Sequence, residues 1–381
     1  MEKAIKEDIE KEDIKKENIK KADAEMTDEI KKDAVKDEHN KEDNKEDSKE
    51  IKSSIKSFIV FVLKLSLVVG ATFCVYWLLF WFLWLSDICP NAYDNAYQHA
   101  LLLQYNALEN PDRENEVIVF GASYVPFGID TETLKEETGY EVQTLGVEAD
   151  MGTRELMDIL KKTAKKGDVL CYMFGMSNSY YEEYTSISCA FESDKDKLRE
   201  YFANRESAQQ YYRDTMIWRK LYSLTVGNMV ENIRSKLSTK EQIYSLSSFD
   251  DKGNMNILRE GTIIDISEVP DEYLDFEDSE IVDIDLMREI NSFAKWCKEN
   301  EITFVISYGM LVDEAVKSSD EEIKKFHKDA SEFLEAEILL EPDDYFMSFD
   351  DFYNHQYHLN TEGARKYSHI LGSAIREYLE K

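Results

Sequence analysis

No surplus of positive charge is available to this chain: 46 lysines and arginines face 78 aspartates and glutamates, for a formal net charge of −32. That balance excludes nucleic acid as a partner, because phosphate backbones are held by basic patches. Cysteine is scarce as well, at five residues. Cys74 lies in an apolar run, Cys171 in an apolar strand pattern, and Cys297 on a helical stripe with Leu286, Ile290 and Phe293. Those three read as membrane or core thiols, which leaves Cys89 and Cys189 as the one pair free to form a disulfide. A small-x-small cleavage site is also missing after the long apolar run, where Asp87-Ile88-Cys89-Pro90 stands instead. A cleaved signal peptide is thereby excluded.

That apolar run, Phe58 to Leu85, carries one charge, Lys64. Leu65 to Leu85 alone suffices to cross a hydrocarbon core of roughly 30 Å at about 1.5 Å per residue. Trp77, Trp81 and Trp84 crowd its far end, as interfacial aromatics do. Residues 57–86 are therefore expected to be a transmembrane helix. Lys49, Lys52, Lys56 and Lys64 precede or open the span, and no Lys or Arg follows until Arg113. The positive-inside bias then predicts a cytoplasmic N-terminus and an external remainder. The external part holds 30 basic and 59 acidic residues, which disfavours close docking on anionic lipid.

Residues 1–56 are Lys, Glu, Asp and Asn with scattered Ile, in a short repeat that places Ile9, Ile14 and Ile19 five residues apart. Five residues advance about 140° past a full turn on a helix, so these side chains share no face. The tail is expected to be disordered or a solvated charged helix, acting as a spacer. After a helical connector within 87–114, residues 115–381 alternate short apolar strands with helices. Strands are predicted at Val117–Phe120, Val142–Leu145, Val169–Phe174, Thr303–Ser307 and Ile338–Leu340. Helices are predicted at Thr131–Glu137, Arg154–Lys166 and Asp285–Asn300. Such alternation means a parallel sheet covered on both faces. The stretch from about 180 to 280 breaks the rhythm. It is rich in Tyr and charge, with helices expected near Ser207–Arg219 and Val226–Leu237 and a turn at Asp250–Gly253. It reads as an insertion over the carboxyl ends of the strands, where open α/β sheets bind ligands.

His358 stands just before a final amphipathic helix in which Ala364, Tyr367, Leu371, Ala374 and Tyr378 recur at helical spacing. Asn360 or Thr361 can cap that helix, with Glu362 in its first turn. A histidine so held suits a general base. Gly121-Ala122-Ser123-Tyr124 follows the first strand directly, so the Ser123 hydroxyl is presented at the sheet's carboxyl edge with its own N–H beside it. Gly146 and Gly175-Met176-Ser177-Asn178 end the next two strands at that edge. Gly146 can offer a backbone N–H, and Asn178 a side-chain amide, to a developing oxyanion. His355 and His358 with Asp350 and Asp351 make a rival reading as a metal site, which no second cluster of ligand residues supports.

Ser123, Gly146, Asn178 and His358 resemble, in order, the blocks of the SGNH (GDSL-like) hydrolases and acyltransferases, over about 115–180 and 300–381. Gly-Ala-Ser stands for Gly-Asp-Ser, two residues instead of one separate Gly175 from Asn178, and His358-Leu359-Asn360-x-x-Gly363 is the closest agreement. The resemblance implies a three-layer αβα sandwich with a flavodoxin-like parallel sheet, an attacking Ser123 and His358 as base, with no metal and no cofactor. It also implies an acid three residues before the histidine; His355 stands there. Asn354 or Asp351 is left as the orienter of His358, or a Ser–His dyad works alone. The membrane-anchored layout is similar to proteins that transfer D-alanyl groups onto lipoteichoic acid. The expected activity is that of an esterase or O-acyltransferase on a cell-envelope polysaccharide or polymer, with a multi-spanning membrane partner delivering the acyl donor if it is a transferase. A non-catalytic envelope module that binds or scaffolds such a polymer is the alternative.

Overall fold

The computed structural model describes residues 52–78, 96–175, 181–203, 205, 208–210, 243–278 and 282–381. It divides into two compact bodies, residues 1–88 and 89–381. In the first, Lys52–Leu78 is one helix (α1) of 27 residues, apolar and long enough to cross a membrane. Residues 1–51 of the charged tail, Trp81, Trp84, Cys89 and the helices expected at Val226–Leu237 and across most of Ser207–Arg219 fall outside the described residues, while residues 52–56, expected in the tail, open α1.

The second body is mixed α/β. It begins with α2 (Ala100–Glu109), β1 (Glu116–Phe120), α3 (Tyr124–Gly128), α4 (Thr131–Thr138), β2 (Glu141–Leu145), α5 (Thr153–Thr163) and β3 (Val169–Phe174). There follow α6 (Tyr184–Ala190), α7 (Lys195–Ala203), α8 (Ile284–Glu299), β4 (Thr303–Tyr308), β5 (Leu311–Val312) and α9 (Asp320–Phe333). The chain closes with α10 (Pro342–Tyr345), β6 (Phe346–Met347), β7 (Phe352–His355), β8 (His358–Leu359) and α11 (Thr361–Glu380). Four strands form one parallel sheet in the order β2-β1-β3-β4, with Val117 beside Val142 and Val169, and Val169 beside Thr303. Every residue of β1 and β3 is buried, as the continuous apolar runs require of strands covered on both faces. The strand expected at Ile338–Leu340 is reduced to a single parallel bridge, Ile306 to Ile338, on the outer side of β4.

Local signals place the helices. Asp130 accepts the Thr133 N–H to start α4, and Gly139 ends it in the left-handed conformation. Asn360, of the two candidates, caps α11 by accepting the Gly363 N–H, while Thr361 accepts the Arg259 N–H. Ala364, Tyr367 and Leu371 are buried, and Ala374 and Tyr378 pack against the core from its rim. Cys171 and Cys297 are core thiols, each pushed up to about 12 chiefly by burial.

Two devices fix the sheet. At its amino edge the Arg113 guanidinium grips Asp168 through two bonds of 3.0 and 2.7 Å, and also donates to the Leu108 and Thr163 carbonyls. Asp168 accepts in addition from the Glu116 and Lys165 N–H groups, so one buried pair ties α2, β1, α5 and the start of β3. At the β2 edge, Asn254 Oδ1 accepts the Thr144 N–H at 2.9 Å and the Thr144 hydroxyl at 2.8 Å. The expected turn at Asp250–Gly253 supplies this contact, so the insertion closes an otherwise open sheet edge.

Candidate active site

A glycine follows each of the four strands: Gly121, Gly146, Gly175 and Gly309. The need is clearest at Gly146, where φ is +129° and a Cβ would overlap the Gly121 carbonyl. The turns after β1 and β2 therefore touch backbone to backbone, and Ser123 sits directly beside that contact. Its own backbone is helical (φ −60°, ψ −23°) and caps α3, so its carbonyl accepts the Phe127 N–H at 3.3 Å. Tyr124 braces the turn by donating to the Met173 carbonyl at 2.8 Å.

The α3 helix also carries the platform for the histidine. The Phe127 ring stacks on His358 at 3.9 Å between centroids and 8° between planes. Ser123 Oγ lies 3.0 Å from His358 Nε2, although 235 residues separate them. On the other side of the ring, Nδ1 is 3.1 Å from Asn354 Oδ1. The β7–β8 hairpin accounts for this. It pairs His355 with His358 and Phe352 with Leu359, with an irregularity between, which brings Asn354 onto the His358 ring. His355, at the position where the resemblance implies an acid, is exposed, its ring 5.0 Å from that of His358.

Two candidates, Asp351 and Gly146, are placed otherwise than expected. Asp351 does not reach the histidine: its carboxylate meets Lys366 at 2.6 Å, and its carbonyl accepts the Asn360 N–H, because the hairpin turns its side chain toward α11. The Gly146 N–H is not open to an oxyanion, since it donates to Gln104 Oε1 at 2.9 Å; α2 pushes that amide into the turn, where Nε2 also meets the Gly146 and Gly253 carbonyls. Asn178 lies outside the described residues. The Ser123 N–H makes no hydrogen bond among the described residues. His355, His358, Asp350 and Asp351 do not converge on a common point, with His358 directed at Ser123 and Asn354, and Asp351 at Lys366. No group of three metal-ligating side chains occurs among the described residues.

Sequence reasoning missed Arg259, Gln104, Phe127 and Tyr244. Buried Arg259 donates to the Leu359 and Phe127 carbonyls, both at 3.1 Å, and so clamps the histidine strand to the serine helix. Burial draws its guanidinium down to about 10. His358, 6% exposed, is drawn down to about 3, first by burial and then by the neighbouring His355 and Arg259. Its ring is thus neutral at physiological pH, and its partners define the tautomer: Nδ1–H donates to Asn354, and Nε2 accepts from the serine. Beside the turn a small, shallow pocket is lined by Gly121, Ala122, Glu148, Ala149, Gly152, Thr153 and Leu156.

The depressed His358 pKa has a stability consequence. The unfolded chain takes up this proton near pH 6.5, whereas the folded chain refuses it until about pH 3. The neutral ring's contribution is fully present above the unfolded value and is lost as pH falls toward the folded one. By pH 5 the loss amounts to about 2 kcal/mol. Chemical denaturation at pH 7 and pH 5 should show His358→Gln losing about that much less than wild type; equal losses would mean the folded ring titrates normally.

No family model matches this chain, and no curated protein matches it either.

Proposed function

We propose that the chain is a membrane-anchored serine esterase or O-acyltransferase with an SGNH-like αβα domain, acting on acyl esters of a cell-envelope polysaccharide or polymer. The observation that carries this reading is the aligned row Ser123 Oγ, His358 Nε2, His358 Nδ1 and Asn354 Oδ1, with gaps of 3.0 and 3.1 Å. A serine in hydrogen-bond reach of a neutral imidazole, itself oriented by a third group, is the arrangement nucleophilic catalysis needs. The strand order β2-β1-β3-β4, extended by the Ile338 bridge, suits a flavodoxin-like sheet with its site at the carboxyl edge.

In this reading Ser123 Oγ attacks the ester carbonyl carbon while its proton passes to His358 Nε2. The oxyanion is met by the Ser123 N–H. The tetrahedral adduct collapses, the leaving alkoxide takes the proton from His358, and acyl-Ser123 remains. Water or an acceptor hydroxyl then repeats the sequence in reverse, giving hydrolysis or transfer. A shallow pocket lined by Gly121 and Ala122 lies next to the Ser123 turn. The lysines before α1 favour a cytoplasmic N-terminus and an external catalytic domain, and a transferase would draw its acyl donor from a multi-spanning membrane partner.

A fluorophosphonate probe applied to the full-length chain in membranes tests this. Wild type should label, Ser123→Ala should not label at all, and His358→Ala should label at least about a thousand-fold more slowly. Absent labelling, or labelling indifferent to both changes, would sink the enzyme. The occupied Gly146 N–H favours the second reading, a non-catalytic polymer-binding module, which that result would support.

A further inference from the structure

The row through His358 has a fourth member that comes from the insertion. Tyr244 Oη accepts a hydrogen bond from Asn354 Nδ2 at 3.0 Å and lies 3.4 Å from His358 Nδ1. Its ring is held edge-on against Tyr97 at 5.5 Å and tilted against Phe127 at 6.0 Å, so the hydroxyl is supported by the same α3 helix that carries Ser123.

An asparagine is an ambiguous orienter. Its amide can turn over, exchanging an acceptor oxygen for a donor NH₂ of nearly the same shape. With Oδ1 toward His358, the ring is protonated on Nδ1 and Nε2 keeps the lone pair that takes the serine proton. With Nδ2 toward His358, Nδ1 must accept, the proton moves to Nε2, and the base is lost. An aspartate has no such second state, because both its oxygens accept. The chain has Asn354 where a carboxylate would remove the ambiguity, and Tyr244 Oη stands against the Nδ2 end of that amide.

We propose that Tyr244 is a positioning residue that locks the Asn354 amide, and through it the His358 tautomer, in the state competent to deprotonate Ser123. In this state the hydroxyl accepts from Asn354 Nδ2–H and turns a second lone pair to the His358 Nδ1–H at 3.4 Å; with the amide turned over, its single proton would serve Asn354 Oδ1 and leave a lone pair against the deprotonated Nδ1. The proposal rests on Ser123 and His358 being nucleophile and base only in its kinetic consequence. The tautomer itself can be read without any reaction.

The test uses Tyr244→Phe, which keeps the ring against Tyr97 and Phe127 and removes only the hydroxyl. In the full-length chain in detergent micelles, labelled with ¹⁵N at its six histidines, the His358 signals are assigned by their loss in His358→Gln. Wild type should show the Nδ1–H tautomer alone, and Tyr244→Phe a mixture of the two. Fluorophosphonate labelling of Ser123 should slow roughly five-fold, the worth of one ordinary hydrogen bond. On an Asn354→Asp background the same tyrosine change should leave the tautomer unchanged, since a carboxylate has no amide to lock. A single unchanged tautomer in Tyr244→Phe overturns the proposal. So does equal slowing on both backgrounds, which would mark Tyr244 as packing alone. If wild type fails to label, the enzyme reading falls while the tautomer comparison still decides the role of Tyr244.

Discussion

Asn354→Asp is expected to accelerate fluorophosphonate labelling of Ser123 by roughly ten- to a hundred-fold at pH 8, and to give that rate an acid limb which wild type lacks. The His358 ring is buried, flanked by His355 and Arg259, and held at about 3, so it accepts a proton only reluctantly. Asn354 Oδ1, at 3.1 Å, orients the ring but lends no charge to the imidazolium that forms as the serine attacks. An opposite charge at that distance raises a neighbouring base by about one to three pKa units. The neutral form is the active one, so wild type should label evenly from pH 8 down to pH 5. The aspartate variant should decline as pH falls below about 6, toward its raised His358 value. Labelling rates measured across that range decide the matter. A variant that neither gains rate nor acquires the acid limb would show that Asn354 does not govern the base.

Asp168→Ala should be the most damaging substitution in the sheet body, costing about 3–5 kcal/mol of stability. Asp168 is fully buried and receives both arms of the Arg113 guanidinium together with two backbone N–H groups. Removing it leaves a buried cation with carbonyl partners and the more distant Glu116 carboxylate at 3.6 Å, and opens the amino ends of β1 and β3 together. Asp168→Asn, which keeps the shape and some of the hydrogen bonds, should lose less. Thermal unfolding measures both: at about 2–4 °C per kcal/mol, the alanine variant should melt on the order of 10 °C lower. A shift within 2–3 °C would mean that the pair's desolvation cost had cancelled its attraction.

What could be read in the sequence followed from local rules. The strands β1 to β4 announce themselves as apolar runs ended by glycine, and α11 as an amphipathic stretch with a capping asparagine, because neighbours in the chain decide both. Ser123 and His358 could be named because each stands at an element boundary. What failed depended on partners far along the chain. Gln104 reaches Gly146 across 42 residues, and Arg259 reaches Phe127 across 132, with no periodicity to betray either. The choice between Asn354 and Asp351 turned on an irregular hairpin, whose geometry decides which side chain meets the ring. The helical connector was found as α2, but its function as a wedge under the β2 turn resides in one amide. Tyr244 could be anticipated only as part of a tyrosine-rich insertion placed over the strand ends.

The contact of Asn254 with Thr144 has a consequence for biogenesis. The strands β1 and β2 leave the ribosome more than a hundred residues before the turn at 250–254 that seals the β2 edge. Until then a buried-type strand with unpaired N–H and C=O groups stands open to any other chain nearby. Nascent copies crowded together therefore face their greatest risk of cross-pairing in the interval set by the length of the insertion. Asn254, by taking the Thr144 N–H and hydroxyl, ends that interval.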